Sequence, residues 1–200
     1  MASASIRYLA IGLVAAATVP AAAQPERVKE LATTVCIACH GADGNSPAPT
    51  FPKLAGLQSE YIAKQLNEYL AGKRKNDMMA PALESIKAGD VEPLAEYFAA
   101  QKPAPGKVED PKLAEAGRMI FADGNASSGV PACIGCHQEN GVGNPRYPRI
   151  AGQHREYIVE QLTQFKNGAR TNDRGRVMRS LAARLTEEEM KAVAEYVAGL

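Results

Sequence analysis

Two short runs of cysteine and histidine carry the clearest chemistry in this 200-residue chain. Residues 36–40 and 133–137 both read Cys-x-x-Cys-His, with an imidazole directly after the second thiol. This spacing is typical of c-type haem attachment, in which two thiols add to the vinyl groups of one porphyrin. The adjacent histidine is then held under the iron and can bind it. We therefore predict two covalently bound haem c groups, with thioethers from Cys36, Cys39, Cys133 and Cys136 and with His40 and His137 as iron ligands.

Two other uses of paired cysteines fit the chain less well. Four thiolates from two Cys-x-x-Cys knuckles can bind zinc, but these pairs lie 97 residues apart and each is followed by histidine. A thioredoxin-like redox pair is expected within a βαβ pattern, which surrounds neither run. All four cysteines fall in the two pairs, so nothing is left to form a disulfide framework.

Each haem iron has a second axial position, for which the thioether sulfur of methionine is a known ligand. Met78 and Met79 stand side by side in the first half of the chain. Alignment of the C-terminal segments at an offset of 99 residues pairs Met79 with Met178 and leaves Met78 opposite Val177. We therefore predict Met79 and Met178 as the second iron ligands, and Met78 as a packing residue.

The remaining histidine and methionines receive structural roles. His154 aligns with Gln58, so a ligand role would break the symmetry between the halves, and we predict a surface helix residue. Met119 and Met190 lie within helical stripes, where methionine is more often core filler than ligand.

An internal duplication organises these candidate residues. Residues 61–77 align with 157–173 at an offset of 96, and residues 52–56 align with 148–152 at the same offset. The period is far longer than that of solenoid repeats, which indicates two domains rather than an array. Residues 101–107 contain two prolines and a glycine and are predicted to be a stiffened linker.

We place the domains at residues 24–104 and 105–200. Each is small for a self-sufficient core, and a buried haem would supply the missing apolar bulk.

The elements that carry the candidate residues are predicted to be helices, and no segment shows convincing strand alternation. Ser59 is a predicted N-cap, and Gly168 is a predicted helix end in the second half. Thr186 opens a capping box before the last helix, and Asp90 is the predicted cap at the corresponding place in the first half. The predicted fold class is all-α.

The first 23 residues are predicted to be a cleaved signal peptide. Arg7 supplies the positive charge, residues 9–19 are apolar, and residues 21–23 are the small residues of a cleavage site. An uncleaved anchor is the alternative, although the apolar stretch is short for a bilayer. No other segment is apolar enough to span a membrane. We therefore expect a protein of a bacterial periplasm.

Charge excludes one class of partner. Without Arg7, the predicted mature chain has 22 basic and 22 acidic side chains. There is no basic excess to indicate binding of nucleic acid.

The order of these features resembles class I cytochromes c, and the tandem arrangement is similar to the dihaem cytochrome c4 family. Residues 39–49, 51–56 and 168–173 carry the resemblance most clearly, and it covers essentially the whole predicted mature chain. It implies two tandem class I cytochrome c domains, each wrapped around one haem, packed about a pseudo-twofold axis with haem propionates near the interface. It also implies electron delivery to respiratory oxidases or reductases.

The resemblance implies a hydrogen bond from each iron-binding histidine to the carbonyl of a loop proline. This maps onto Pro52 for His40 and onto Pro148 for His137, and such a bond would make the imidazole more electron-donating. The alternative is that both prolines only shape the loops in which they lie.

One departure from the class I pattern concerns the N-terminal helices. These usually carry a glycine and an aromatic residue that pack on the C-terminal helix, and Gly117 and Phe121 match this pair in the second half. The first half lacks the pair, so we expect Val28, Leu31 and Ala32 to pack against Tyr97 instead.

Two filled axial positions on both irons leave no place for a substrate to bind metal, so the expected function is single-electron transfer rather than catalysis. Partners would be transient redox proteins, such as a membrane-bound oxidase or reductase, which meet an exposed haem edge through a small interface. A dihaem redox enzyme, or an electron-transfer subunit of a larger oxidoreductase, is the alternative.

Overall fold

The computed structural model describes residues 23–200 of the chain. The predicted signal peptide therefore lies outside the described residues, apart from its last position. Within the described part, regular structure is helical and no extended strand forms. The β-type pairing there consists of two isolated bridges, between Asn125 and Val130 and between Asn144 and Tyr147. The prediction of an all-α fold is confirmed.

The first half of the described chain contains five α-helices and two irregular turns. A π-helical turn spans Ala32–Cys36 and a 3₁₀ turn spans Ala88–Asp90. The helices are α1 (Ala23–Leu31), α2 (Ile37–His40), α3 (Ser59–Leu70), α4 (Ala80–Leu83) and α5 (Val91–Ala99).

The second half repeats the order of the five α-helices but has no counterpart of the π-helical turn or of the 3₁₀ turn before the last helix. It has instead a 3₁₀ turn at Arg174–Arg176, before its fourth helix, where residues 77–79 of the first half form a simple turn. The helices are α6 (Pro111–Asp123), α7 (Ile134–His137), α8 (Arg155–Asn167), α9 (Val177–Ala182) and α10 (Glu187–Ala198).

Three helix ends in the second half are fixed by a capping side chain or a glycine, and two of them, at Thr186 and Gly168, are predicted from the sequence. The Asp110 carboxylate accepts hydrogen bonds from the backbone amides of Lys112 and Leu113, both at 3.0 Å, and so begins α6. Thr186 and Glu189 form the predicted capping box of α10. Gly168 ends α8 at φ +78°, a left-handed conformation that glycine adopts without a Cβ penalty.

Two predicted caps in the first half are wrong. Gln58 holds the N-cap position of α3, and Ser59 is the first helical residue. Asp90 precedes α5 but its side chain does not cap it. Its carboxylate instead accepts from the Lys87 amide at 2.9 Å and from the Arg27 guanidinium at 3.3 Å, because the chain makes a 3₁₀ turn there before the helix begins.

The core of the first half joins its first and last helices. Val28, Leu31 and Ala32 are buried in one cluster with Leu94 and Phe98 of α5. Tyr97 packs against the edge of this cluster, as expected. Its hydroxyl donates to the Ala42 carbonyl at 3.0 Å. The contact between α1 and α5 is thus made by aliphatic side chains rather than by a glycine and an aromatic ring.

The second half uses the predicted glycine and aromatic pair. A Cβ added to Gly117 would collide with the backbone carbonyl of Ala192 in α10, so α6 and α10 approach with almost no side chain between them. Phe121 is 1% exposed, and its ring lies 5.3 Å from that of Tyr196. Met190, also in α10, is buried as predicted, whereas Met119 is 49% exposed, so its predicted core role is wrong. Met119 lies two positions after Gly117 in α6, so its side chain points away from α10.

The linker is irregular and is held by a side chain of the first half. Residues 101–107 form no helix or strand. Asn45 donates to the Lys102 carbonyl at 2.9 Å and accepts from the Ala104 amide at 2.7 Å. A Cβ on Gly106 would collide with the Ala198 carbonyl, so the linker also lies close to the end of α10.

Candidate haem sites

A single cavity of about 910 Å³ extends between the two halves. Both halves line it, mostly with aliphatic and aromatic side chains. All the residues that the sequence predicts to bind haem are among its walls: Cys36, Cys39, His40, Met79, Cys133, Cys136, His137 and Met178.

The two histidines have matching environments. His40 ends α2 and His137 ends α7, and each is only 8% exposed. The Nδ1 atom lies 2.8 Å from the Pro52 carbonyl oxygen in His40, and 2.9 Å from the Pro148 carbonyl oxygen in His137. The predicted histidine–proline bonds are therefore present. When Nδ1 donates to the carbonyl, Nε2 carries the lone pair that a metal requires.

Burial also favours the metal-binding form of both rings. Desolvation lowers the pKa of His40 and of His137, although the bond to the proline carbonyl opposes this effect in each. The neutral imidazole is thus the preferred state in the cavity, and only the neutral form binds a metal.

The chain reaches the two cysteine pairs by different routes. In the first half, α1 continues through the π-helical turn into α2, so Cys36 follows without a loop. In the second half, α6 ends at Gly124 and the chain folds back, until the Cys133 amide donates to the Phe121 carbonyl at 2.9 Å. The π-helical turn was not foreseen from the sequence. Such turns occur often at functional sites.

No disulfide joins any of the four cysteines, all of which lie within the described residues. Burial raises the pKa of Cys36 and of Cys133 to about 11. Both side chains line the largely apolar cavity.

Different contacts position the two methionines. Met79 directly precedes α4, and its backbone amide lies 3.0 Å from the Asn76 side-chain oxygen. Met178 lies in α9, where Asp173 fixes the preceding turn through Arg179, with Oδ1 2.6 Å from Nε. Each methionine packs against the core of its own half.

The prediction that Met78 packs in the core is wrong. Its side chain is 67% exposed at the rim of the cavity, and Val177, its counterpart in the repeat, is 41% exposed. In both halves the next residue is the methionine that enters the cavity, so the preceding side chain is left facing solvent.

Comparison with known proteins agrees with this arrangement. The Cytochrome c family model matches residues 25–104 and again residues 114–200. Cytochrome c4 of Azotobacter vinelandii is 46% identical over 178 residues, which cover 83% of this chain and 84% of that protein. The chain belongs to the cytochrome c4 family. The crystal structure of reduced recombinant cytochrome c4 from Pseudomonas stutzeri superposes with a TM-score of 0.81 at 42% identity, covering 90% of this chain and 97% of that one.

Membership of the cytochrome c4 family establishes the cofactors and the general role. The protein has two tandem cytochrome c domains, carries two covalently bound haem c groups and functions in electron transfer. A more distant relative, named as a thiosulfate dehydrogenase electron acceptor in Thiomonas intermedia, is 36% identical over 89% of this chain and 81% of its own length. Among residues 23–200, no helix has both the length and the apolar character needed to cross a membrane.

Two arginines at the domain interface fit the carboxylates of such haems. Arg74 and Arg170 align in the repeat and line the cavity. Arg74 donates to Gln65 at 2.8 Å and, in the other half, to Gln161 at 3.0 Å. Arg170 donates to Gln161 at 2.7 Å and, in the other half, to Gln65 at 3.0 Å.

No carboxylate of the described residues forms an ion pair with either of these guanidinium groups. Burial raises the pKa of Tyr61, but Arg170 and Arg74 outweigh this effect and lower it. A third arginine, Arg149, lines the same cavity, and its buried Nε has no hydrogen-bond partner among residues 23–200. Buried cations need counter-charges, and haem propionates would supply them.

The predicted surface role of His154 is wrong. His154 lies at the N-cap position of α8 and is partly buried, with Nε2 2.9 Å from the Ser46 carbonyl oxygen in the first domain. Gln58, its counterpart in the repeat, reaches into the second domain and donates to the Val142 carbonyl at 2.7 Å. His154 and Gln58 align in the repeat and both have hydrogen-bonding side chains. This is the feature of the sequence that indicates an interface contact.

Proposed function

We propose that this protein is a periplasmic carrier of single electrons between respiratory-chain partners, with both haem irons ligated by histidine and methionine. The observation that carries the proposal is the matched arrangement in the cavity. Each half contributes a buried histidine whose Nδ1 is bonded to a proline carbonyl, and a methionine that lines the same cavity.

The assigned ligands of the two irons follow from this pairing. His40 and Met79 bind the first iron, and His137 and Met178 bind the second. Cys36 and Cys39 hold the first porphyrin by thioether bonds, and Cys133 and Cys136 hold the second. The distribution of these residues over two repeated halves supports domains at residues 24–104 and 105–200.

When bound, the haem groups supply iron that alternates between the ferrous and ferric states. The protein contributes ligands, burial and hydrogen bonds that set the two reduction potentials. Pro52 and Pro148 hold the imidazoles in one orientation and increase their electron density through the Nδ1 bond. The methionine sulfurs favour the reduced state. The rigid helical frame keeps these groups in place, so a change of oxidation state requires little structural reorganisation.

Both axial positions are filled in this proposal, so the protein is a carrier and not an enzyme. The thiosulfate dehydrogenase electron acceptor among its relatives favours a second candidate, in which the chain serves one oxidoreductase as its dedicated acceptor subunit. The two candidates share the same ligands and differ in whether the protein forms a lasting complex. A dihaem redox enzyme would need an open or displaceable iron position.

The proposed location rests on the first 23 residues, which have the charge, apolar stretch and small residues of a signal peptide. Haem attachment to Cys-x-x-Cys-His also takes place after export. Partners are therefore expected in the periplasm or on the membrane surface that faces it.

A spectroelectrochemical titration of the mature protein tests the proposal. We expect two one-electron transitions, covalent haem at two per chain, and the sulfur-to-iron charge-transfer band in the oxidised form. Carbon monoxide should bind the reduced protein only slowly at neutral pH. Rapid binding of carbon monoxide, or fewer than two covalent haems, would contradict it.

A further inference from the structure

The second domain contains three residues that the first domain lacks. Asp77 and Asp173 align at an offset of 96, whereas Met79 and Met178 align at 99. The three additional residues are Arg174, Gly175 and Arg176, which together form the 3₁₀ turn before α9. The insertion therefore adds two positive charges before Val177, the residue that precedes Met178.

The inserted turn has an unfavourable backbone conformation. Gly175 and Arg176 both have φ +61°, in the left-handed region. A residue with a long side chain rarely adopts this conformation. Both arginine side chains are exposed, and among the described residues neither makes a hydrogen bond or an ion pair. No contact within the described part of the chain thus explains why arginines occupy these two positions.

Neighbouring charges leave the surface around this turn positive. Lys73 of the first domain is exposed and shares a surface groove with Arg174. The two carboxylates of that groove are already paired, Glu68 with Lys64 at 2.6 Å and Asp173 with Arg179 at 2.6 Å. We call Lys73, Arg174 and Arg176 the basic rim.

The basic rim borders an apolar patch at the mouth of the haem cavity. Val177 is 41% exposed and lines the cavity together with Arg174 and Met178. The first domain has an exposed apolar residue at the same place, Met78, but the residue before it is Asp77 instead of Arg176. The two haem openings therefore differ in the sign of the charge next to their apolar contact.

We propose that the basic rim and Val177 form the docking surface for an acidic redox protein, which exchanges electrons with the haem of the second domain. This inference rests on the proposed function and adds the partner's chemistry to it. Small apolar contacts surrounded by complementary charges suit transient redox encounters, because the charges increase the association rate without making the complex long-lived.

Electron exchange with small ions of opposite charge tests the surface. Ferricyanide takes one electron from the reduced protein and becomes ferrocyanide, with no bond or proton transferred. Tris(1,10-phenanthroline)cobalt(III) is also a strong enough oxidant to accept one electron from the reduced protein, but it is a cation. We would measure both rates by stopped flow over a range of ionic strength, because salt screens the exposed charges.

The test variant is Arg174→Glu/Arg176→Glu, and the matched control is Lys112→Glu/Lys191→Glu. Both control lysines are exposed in the second domain, do not line the cavity and give the same change in net charge. At low salt the reduced test variant should be oxidised about tenfold more slowly by ferricyanide and faster by the cobalt complex. The control should change each rate less than about threefold. Equal effects in both variants would show that net charge alone matters and would overturn the proposal.

A further variant controls for misfolding, and a further oxidant extends the test from small ions to a protein. Arg176→Gly keeps the left-handed backbone and removes one charge, so it should slow ferricyanide oxidation by a smaller factor without affecting stability. Plastocyanin with an acidic patch serves as the protein probe, and its salt-dependent exchange rate should fall in the test variant only. An unchanged plastocyanin rate would overturn the proposal.

The outcome is separable from the proposed function. If the wild-type protein lacked two one-electron transitions, the proposed carrier function would be wrong, regardless of the rates measured for the variants of the basic rim. If those transitions are present in wild type and in both variants, at similar potentials, the rates report on docking alone.

Discussion

The Nε2 atom of His154 lies 2.9 Å from the carbonyl oxygen of Ser46, which belongs to the other domain. Partial burial lowers the pKa of His154, although the bond to Ser46 opposes the shift. The folded protein therefore binds a proton at this site less readily than the unfolded chain, whose histidine keeps its ordinary pKa of 6.5. The contribution of His154 to stability is complete above that value and is lost as the pH falls below it.

Replacing His154 with glutamine should remove this pH dependence. Glutamine occupies the corresponding position, Gln58, and offers an amide donor that does not titrate. We expect His154→Gln to lose less of its free energy of unfolding than wild type between about pH 7.5 and pH 5. Denaturant titration of the haem-loaded protein at each pH measures the difference. The reciprocal variant, Gln58→His, should become more sensitive to acid, and identical pH profiles would contradict the assignment.

Gln153 should be a strong determinant of domain association. Its side chain accepts from the Lys53 amide and donates to the Lys53 carbonyl, both at 2.9 Å, and it is only 6% exposed. Gln153→Ala leaves both backbone groups without a partner, so we expect a loss of about 1–3 kcal/mol. Calorimetry should show the two domains melting further apart in temperature. The control is Gln164→Ala, whose side chain bonds only to Glu160 within α8 and whose loss should cost less than about 0.5 kcal/mol.

The methionine assignment predicts a selective loss of spectroscopic signal. Met79→Leu and Met178→Leu should each remove the sulfur-to-iron charge-transfer band of one haem and lower the potential of that haem, because a thioether ligand raises it. Met78→Leu is the matched control and should leave both bands, since Met78 is 67% exposed. Loss of a band in the Met78 variant would reverse the assignment in the first domain.

Gly117 should tolerate no side chain. A Cβ at this position collides with the backbone of Ala192, which cannot move without displacing α10. Gly117→Ala should therefore destabilise the second domain by about 1–3 kcal/mol, the usual cost of overpacking. Gly89→Ala is the control, because a Cβ there meets no atom within 4 Å. Thermal unfolding followed by haem absorbance compares the two variants, and equal melting temperatures would refute the close approach of α6 and α10.

Much of the fold and of the candidate haem site was predictable from the sequence because the relevant signals are local or repeated. Cys-x-x-Cys-His holds its chemistry within five residues, so no tertiary information is needed to read it. The offset of 99 residues selects Met79 over Met78 without reference to coordinates. The helix start at Thr186 and the helix end at Gly168 follow from side-chain and backbone preferences of single residues.

The contacts between the domains were decided only by the tertiary structure. His154 and Ser46 are 108 residues apart, and neither has a local pattern that indicates the other. Met78 is predicted to be a packing residue because methionine is apolar, but one residue position decides which of two adjacent side chains enters the cavity. Asp90 is predicted to be a helix cap because it precedes an apolar stripe, whereas Arg27, 63 residues away, and the 3₁₀ turn compete for its carboxylate. Local sequence specifies which groups are present and which helices carry them, while their partners depend on how distant segments pack.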